Sequence, residues 1–208
     1  TDPRTLTAGT ASPVNVIASQ TSTSINNGGI AEFEIANPTV ALQGSGTADA
    51  PNLVIYLDTT GVQDVRLAFT ARDIDATTDN AVQQLAVQYR VGGTGAWTNL
   101  PDGYVVDATT GPGLATQETA VSVTLPPDAA NQGQVEVRIL TTNAVGNDEW
   151  VGIDDIAVTS SPLGAGTTTL TVSDATVVEG NDGTQSLVFT VTRSNADSAF
   201  TVNYATAA

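Results

Sequence analysis

The feature that most constrains this chain is the alternation of apolar and polar residues with a period of two. Val65, Leu67, Phe69 and Ala71 fall on one side of segment 64–72, and Arg66, Ala68, Thr70 and Arg72 on the other. Leu85, Val87, Tyr89 and Val91 repeat the pattern, as do Val121, Val123 and Leu125, then Val135, Val137 and Ile139. An extended chain sends successive side chains to opposite faces, so this periodicity predicts half-buried antiparallel strands. Segment 30–36 alternates as well, 53–58 is a nearly continuous apolar run, and 153–159 reads as a closing strand. Turn clusters punctuate the runs: Gly92-Gly93-Thr94-Gly95, Pro101-Asp102-Gly103, Gly111-Pro112-Gly113 and Pro126-Pro127-Asp128. Only 77–84 has room for a short helical turn. The fold class expected is all-β, an antiparallel jelly-roll-like sandwich.

The pattern divides the chain. Residues 1–29 are rich in Thr, Ser, Asn and Gly and read as an extended arm, with one short apolar stretch at Val14, Val16 and Ile17. The sandwich occupies 30–160. Small residues at 161–168 read as a linker. A second unit starts at 169, and its three or four strands to 208 are too few to close a two-sheet core of their own. The absence of Met, even at position 1, fits a processed product or a portion of a longer chain. An open half sandwich suggests truncation, completion by a neighbouring copy through β-strand addition, which builds a filament or layer, or a half domain disordered in isolation. The 1–29 arm is the candidate donor.

Charge and missing residue types exclude several functions. The formal net charge is −16, and all six basic residues are Arg, scattered along the sequence. A phosphate-binding surface needs clustered cations, so nucleic acid is not an expected partner, nor is an anionic membrane. No apolar run is long enough to span a bilayer, so membrane insertion is not expected. His and Cys are absent, which removes a serine–histidine triad, thiol catalysis and Cys-ligated zinc. No carboxylate pair sits in a recognisable aromatic cleft, so the expectation is a protein that is not an enzyme.

Two resemblances add to this reading. Val177-Val178-Glu179-Gly180-Asn181-Asp182-Gly183, Leu187-Val188-Phe189-Thr190-Val191-Thr192-Arg193 and Val202-Asn203-Tyr204-Ala205-Thr206 resemble the first half of a Calx-beta domain. That resemblance implies a partial immunoglobulin-like sandwich over 169–208, with Glu179 as one calcium ligand. Ala71-Arg72-Asp73-Ile74-Asp75, Val87-Gln88-Tyr89-Arg90 leading to Trp97, and Gly146 to Ile156 resemble jelly-roll-like domains of large secreted bacterial proteins. Some of those proteins carry extracellular nuclease or phosphatase domains. The Asp-Asp-Ile ending is also similar to MAM and carbohydrate-binding jelly rolls, in which an acidic residue on the last strand often holds structural calcium. These likenesses imply a secreted or cell-surface location.

The candidate sites follow. Asp148 and Glu149 lie near Asp154 and Asp155 in sequence; Asp73 and Asp75, with Asp79, form a second acidic group. By strand parity Asp154 shares a face with Ile156 and Val158, so its carboxylate is expected to aim at a core and to need a partner. A hard cation such as calcium is one partner; pairing with Arg72 or Arg138, or capping a turn, is the alternative. Asp154, Asp155, Asp73 and Asp75, backed by Asp148 and Glu149, are the expected calcium ligands. Trp97 and Trp150, with Tyr56, Tyr89 and Tyr104, are candidates for stacking on sugar, with Trp150 the more exposed and Tyr89 at core parity; the alternative is that Trp97 and Trp150 fill the core or cap the sandwich. The main functional expectation is a calcium-stiffened structural or adhesive module. It would contact copies of itself, or other domains of the parent polypeptide. The alternatives are a carbohydrate-binding module and a non-catalytic accessory domain of a secreted nuclease or phosphatase.

Overall fold

A computed structural model describes residues 2–8, 28–46, 48–74, 81–109, 117–146, 148–164, 169–178, 180–194, 201–203 and 205, and the backbone of 17–20. The chain divides into two compact units, with the boundary between Leu163 and Gly164, within the 161–168 stretch. Among the described residues no helix is long and apolar enough to cross a membrane.

The first unit opens with a 3-10 turn at Pro3–Thr5 and continues with ten strands. These are β1 (Ile17–Gln20), β2 (Gly29–Phe33), β3 (Thr39–Gln43), β4 (Asn52–Leu57), β5 (Val62–Asp73), β6 (Leu85–Val91), β7 (Thr98–Val105), β8 (Glu118–Thr124), β9 (Val135–Thr141) and β10 (Val151–Pro162). One sheet has six strands in the order β1-β2-β3-β10-β5-β8; the other has four, β4-β9-β6-β7. All pairings are antiparallel except β1 with β2. From β3 to β10 the chain changes sheet at each strand, except in the β6–β7 hairpin. That alternation between facing sheets is jelly-roll-like connectivity.

The predicted inward residues form the core between the sheets. Val65, Leu67, Phe69 and Ala71 of β5 and Val121 and Val123 of β8 meet Leu85, Val87 and Tyr89 of β6 and Val135, Val137 and Ile139 of β9. A smaller cluster gathers Ala31, Phe33, Ala41, Ile74 and Trp150.

Three expectations differ from the structure. Pro101-Asp102-Gly103 is not a turn between strands but an irregular stretch inside edge strand β7. There the register to β6 jumps from Leu85↔Val105 to Val87↔Leu100. Proline is tolerated in an edge strand because the missing N–H has no ladder to serve. Gly103 passes so close to the core that a Cβ would lie 2.5 Å from Val87 Cβ and 2.9 Å from Val123 Cγ1. Residues 81–84 are not helical. The strand read at 153–159 is present within β10, the last strand of the first unit, and lies between β3 and β5. Finally, 2–8 is not a free extended arm: it is docked on the four-stranded sheet. The Gly111-Pro112-Gly113 turn, 77–80, Asp75, Asp79, Glu179, Val14 and Val16 lie outside the described residues.

In the second unit β11 (Leu170–Val172) pairs antiparallel with β12 (Val191–Arg193). Bonds from Ser173 N to Thr190 O and from Ser194 N to Thr169 O extend that ladder at both ends. Leu170, Val172, Leu187 and Phe189 are all exposed.

Candidate binding face

Asp154 does not aim at the core. Between Asp154↔Thr70 and Ala157↔Ala68, β10 carries one residue more than β5, a bulge that inverts the alternation. Asp155 sits in it at φ 52°, a left-handed conformation that Asp tolerates better than most residues. Ile153 therefore points inward opposite Ala71 while Asp154 points outward, and beyond the bulge Val158 shares the side of Leu67. Asp154 and Val158 are on opposite faces, contrary to the parity expectation. Ile156 and Val158 are also exposed rather than buried.

The partner of Asp154 is a guanidinium. Arg72 Nη1 donates to Asp154 Oδ2 at 2.6 Å and Asn37 Nδ2 donates to the same oxygen at 2.8 Å. Asp155 N donates to Asp154 Oδ1 at 2.9 Å. Arg72, one of the two arginines weighed from sequence, lies beside this carboxylate, while Asp155 is exposed to solvent. Asp148 and Glu149 tie loops together. Asp148 Oδ1 accepts from Ala144 N at 2.6 Å, and Asp148 O accepts from Gln43 Nε2 at 2.7 Å. Buried Glu149 accepts from Ala81 N at 3.3 Å through Oε1, and its own N–H donates to Gln83 Oε1 at 3.3 Å. Asp73 ends β5, is buried, and donates its N–H to Gln117 O at 2.9 Å. Among the described residues, no three of Asp, Glu, His and Cys gather as a metal-binding group.

Neither tryptophan is a sugar platform. Trp150 is 1% exposed and meets Phe33 edge-on, with ring centres 5.2 Å apart, which corrects the expectation that it is the exposed one. Trp97 is 2% exposed, with the guanidinium carbons of Arg90 and Arg138 each 4.3 Å from its ring centre. A ring face attracts cations through its quadrupole. Trp150 lies in the smaller core cluster, whereas Trp97 is covered on the outer side of the four-stranded sheet, against Arg90 and Arg138.

Tyr56 was among the aromatics weighed for sugar from sequence, but the outer face of the four-stranded sheet that carries it was not. Leu53, Ile55 and Leu57 of β4 pack on the core, so Asn52, Val54 and Tyr56 face outward. Pairing lines these residues up in rows across the sheet. One row runs Tyr56–Glu136–Arg90, the next Val54–Arg138–Gln88–Asn99. Arg90 binds Glu136 with Nε at 2.7 Å and Nη2 at 2.6 Å. Arg138 Nε donates to Gln88 Oε1 and Gln88 Nε2 to Asn99 Oδ1, both at 2.7 Å. Burial, and after it the Arg90 charge, lowers the Arg138 pKa to about 10.

Residues 2–8 lie across the second row. Asn99 Nδ2 donates to Arg4 O at 2.6 Å, Gln88 Nε2 to Pro3 O at 3.4 Å, and Trp97 N to Thr7 O at 2.8 Å. Arg138 Nη2 donates to Leu6 O. Pro3 is buried, and Arg4 stacks 3.9 Å above the Tyr104 ring while Asp2 holds its guanidinium at 2.7 Å. The available signal was the run of hydrogen-bonding side chains (Gln88, Arg90, Glu136, Arg138) at outward positions of the two inner strands. Tyr56 remains 67% exposed at the edge of the same face. A groove of about 400 Å³ bordered by Leu6, Asp49, Asn143 and Ala144 opens beside residues 2–8.

No family model matches this chain, and no curated protein matches it either. Solved structures do. One is a CBM61 module in complex with beta-1,4-galactotriose, with TM-score 0.39, 13% identity, and coverage of 62% of this chain and 74% of that one. Another is a carbohydrate-binding module, CBM28, specific for non-crystalline cellulose, with TM-score 0.42, 12% identity, and coverage of 70% and 99%. A third is the enzymatically active domain of bacteriophage CBA120 tailspike protein 4, with TM-score 0.40, 11% identity, and coverage of 66% of this chain and 18% of that one.

Proposed function

We propose that the first unit is a non-catalytic glycan-binding module of a secreted or surface protein, and that its contact surface is the outer face of β4 and β9. The observation that carries this is Tyr56. It is an aromatic ring 67% exposed on an outward strand position, in register with the Glu136–Arg90 ion pair. A flat aromatic offers the C–H face of a sugar ring a hydrophobic seat, and polar groups placed beside it orient the hydroxyls. Val54 and Asn52 continue the outward face along the strand toward the end where Asp49 and Asn143 border the groove. At about 3.3 Å per residue, Tyr56 to Asn52 spans roughly 13 Å, enough for more than one sugar ring.

The test is affinity electrophoresis of the full chain in native gels containing soluble β-glucans, galactans or other neutral polysaccharides. At least one polysaccharide is expected to retard the chain, and Tyr56→Ala to abolish that retardation. Unchanged mobility in a broad panel, or equal retardation of the variant, contradicts the proposal.

A further inference from the structure

Residues 2–8 are held as a ligand is held. Their contacts with the sheet run through main-chain carbonyls spaced along the segment (Pro3, Arg4, Leu6 and Thr7), and the donors come from β6, β7, β9 and Trp97. Two side chains add selectivity. Pro3 is buried, and Arg4 lies over Tyr104, braced by Asp2. Main-chain hydrogen bonds for affinity, with side-chain seats for specificity, is how folded domains read extended peptides.

The receiving surface is organised by bonds of its own. Arg138 to Gln88, Gln88 to Asn99 and Arg90 to Glu136 are contacts within the sheet, and the Trp97 ring lies against both guanidiniums. A preorganised surface loses little freedom on binding. It also calls for an occupant. Arg138 is 5% exposed, and Leu6 O accepts from its Nη2. With the segment gone, that N–H and those of Gln88 and Asn99 turn to water, which a chain offering carbonyl oxygens at the same spacing replaces.

From this geometry we propose that the face over Gln88, Asn99, Arg138 and Tyr104 is a peptide-binding site. Residues 2–8 of the same chain fill it, and the same segment of a second copy fits it. The site is the covered half of the sheet, so the proposal stands independently of the glycan reading at Tyr56.

The experiment uses a chain lacking residues 1–8 and a fluorescein-labelled peptide of residues 1–8, with anisotropy as the readout. Saturable binding to the shortened chain is expected. The full-length chain should bind at least about ten-fold more weakly, because its own segment competes at high effective concentration. An Arg4→Ala peptide, or an Asn99→Ala receptor, should weaken binding about five-fold or more, in line with loss of one charged or well-directed contact. A cooperatively folding shortened chain that does not bind the peptide, or binds a scrambled one equally well, overturns the proposal. Where the shortened chain does not fold, amide exchange on the intact protein decides. The Trp97 N–H, bonded to Thr7 O, should exchange by local release of the segment, well ahead of the β9 amides. Exchange of Trp97 only together with β9, through global unfolding, overturns the proposal.

Discussion

Replacing Arg72 by Met tests the reading of Asp154 most sharply. Met keeps most of the aliphatic stem and removes the charge. The change deletes the 2.6 Å bond to Asp154 and the 3.1 Å bond from Nη1 to Asn37 O. The two side chains of the pair are 13% and 16% exposed, between the surface and the interior. Exposed pairs contribute up to about 1 kcal/mol, whereas stripping one partner from a fully buried pair costs about 3–5 kcal/mol. Asp154 keeps two donors, Asn37 Nδ2 and Asp155 N, so a loss of about 2 kcal/mol is expected. With a urea slope of about 2 kcal/mol per molar, the unfolding midpoint falls by about 1 M. A cycle with Asp154→Asn should show a coupling of about 1 kcal/mol. A loss below about 0.5 kcal/mol, or calcium that stabilises the unaltered chain only while Asp154 is present, refutes the reasoning and makes Asp154 a metal ligand.

Two further substitutions probe the core. Gly103→Ala pushes a methyl group into Val87 and Val123, with contacts of 2.5 and 2.9 Å. Overpacking of this kind costs about 3 kcal/mol and is measurable by chemical denaturation. Tyr89 donates to Asp128 at 3.0 Å, and burial followed by Asp128 raises its pKa above the usual phenol value. A raised folded value means the neutral phenol is the form the fold prefers. Its contribution is therefore complete below pH 10 and fades as pH climbs through the folded value. Tyr89→Phe should cost about 1 kcal/mol at neutral pH, and the gap to the unaltered chain should close above pH 10 in pH-resolved denaturation.

The sandwich core was legible because it rests on period-two alternation. Val65 to Ala71, Leu85 to Tyr89 and Val135 to Ile139 all fall where alternation places them, inside one cluster. Alternation failed at the β10 bulge. One added residue at Asp155 reverses every later side chain, and nothing in the run Ile153-Asp154-Asp155-Ile156 marks it. β3 was missed because it is five residues long and lies directly behind Pro38. The Pro101-Asp102-Gly103 stretch carries turn chemistry but serves an edge strand, where a missing N–H costs nothing. Trp97 and Trp150 were readable as aromatic, but their surroundings were not. What buries Trp97 includes Arg90 and Arg138, on two strands far apart in sequence, and residues 2–8 bond to its backbone. Charge pairing was partly legible, since Arg72 stood among the partners considered for Asp154.

The most direct measurement of the central claim is an amide chemical-shift titration of the labelled chain with the polysaccharide, or its oligosaccharides, that retards it. Shifts are expected to concentrate on Asn52–Leu57 and on Glu136 and its neighbours in β9. Shifts confined to β2, β3 and β10 on the other sheet, or to the second unit, contradict it.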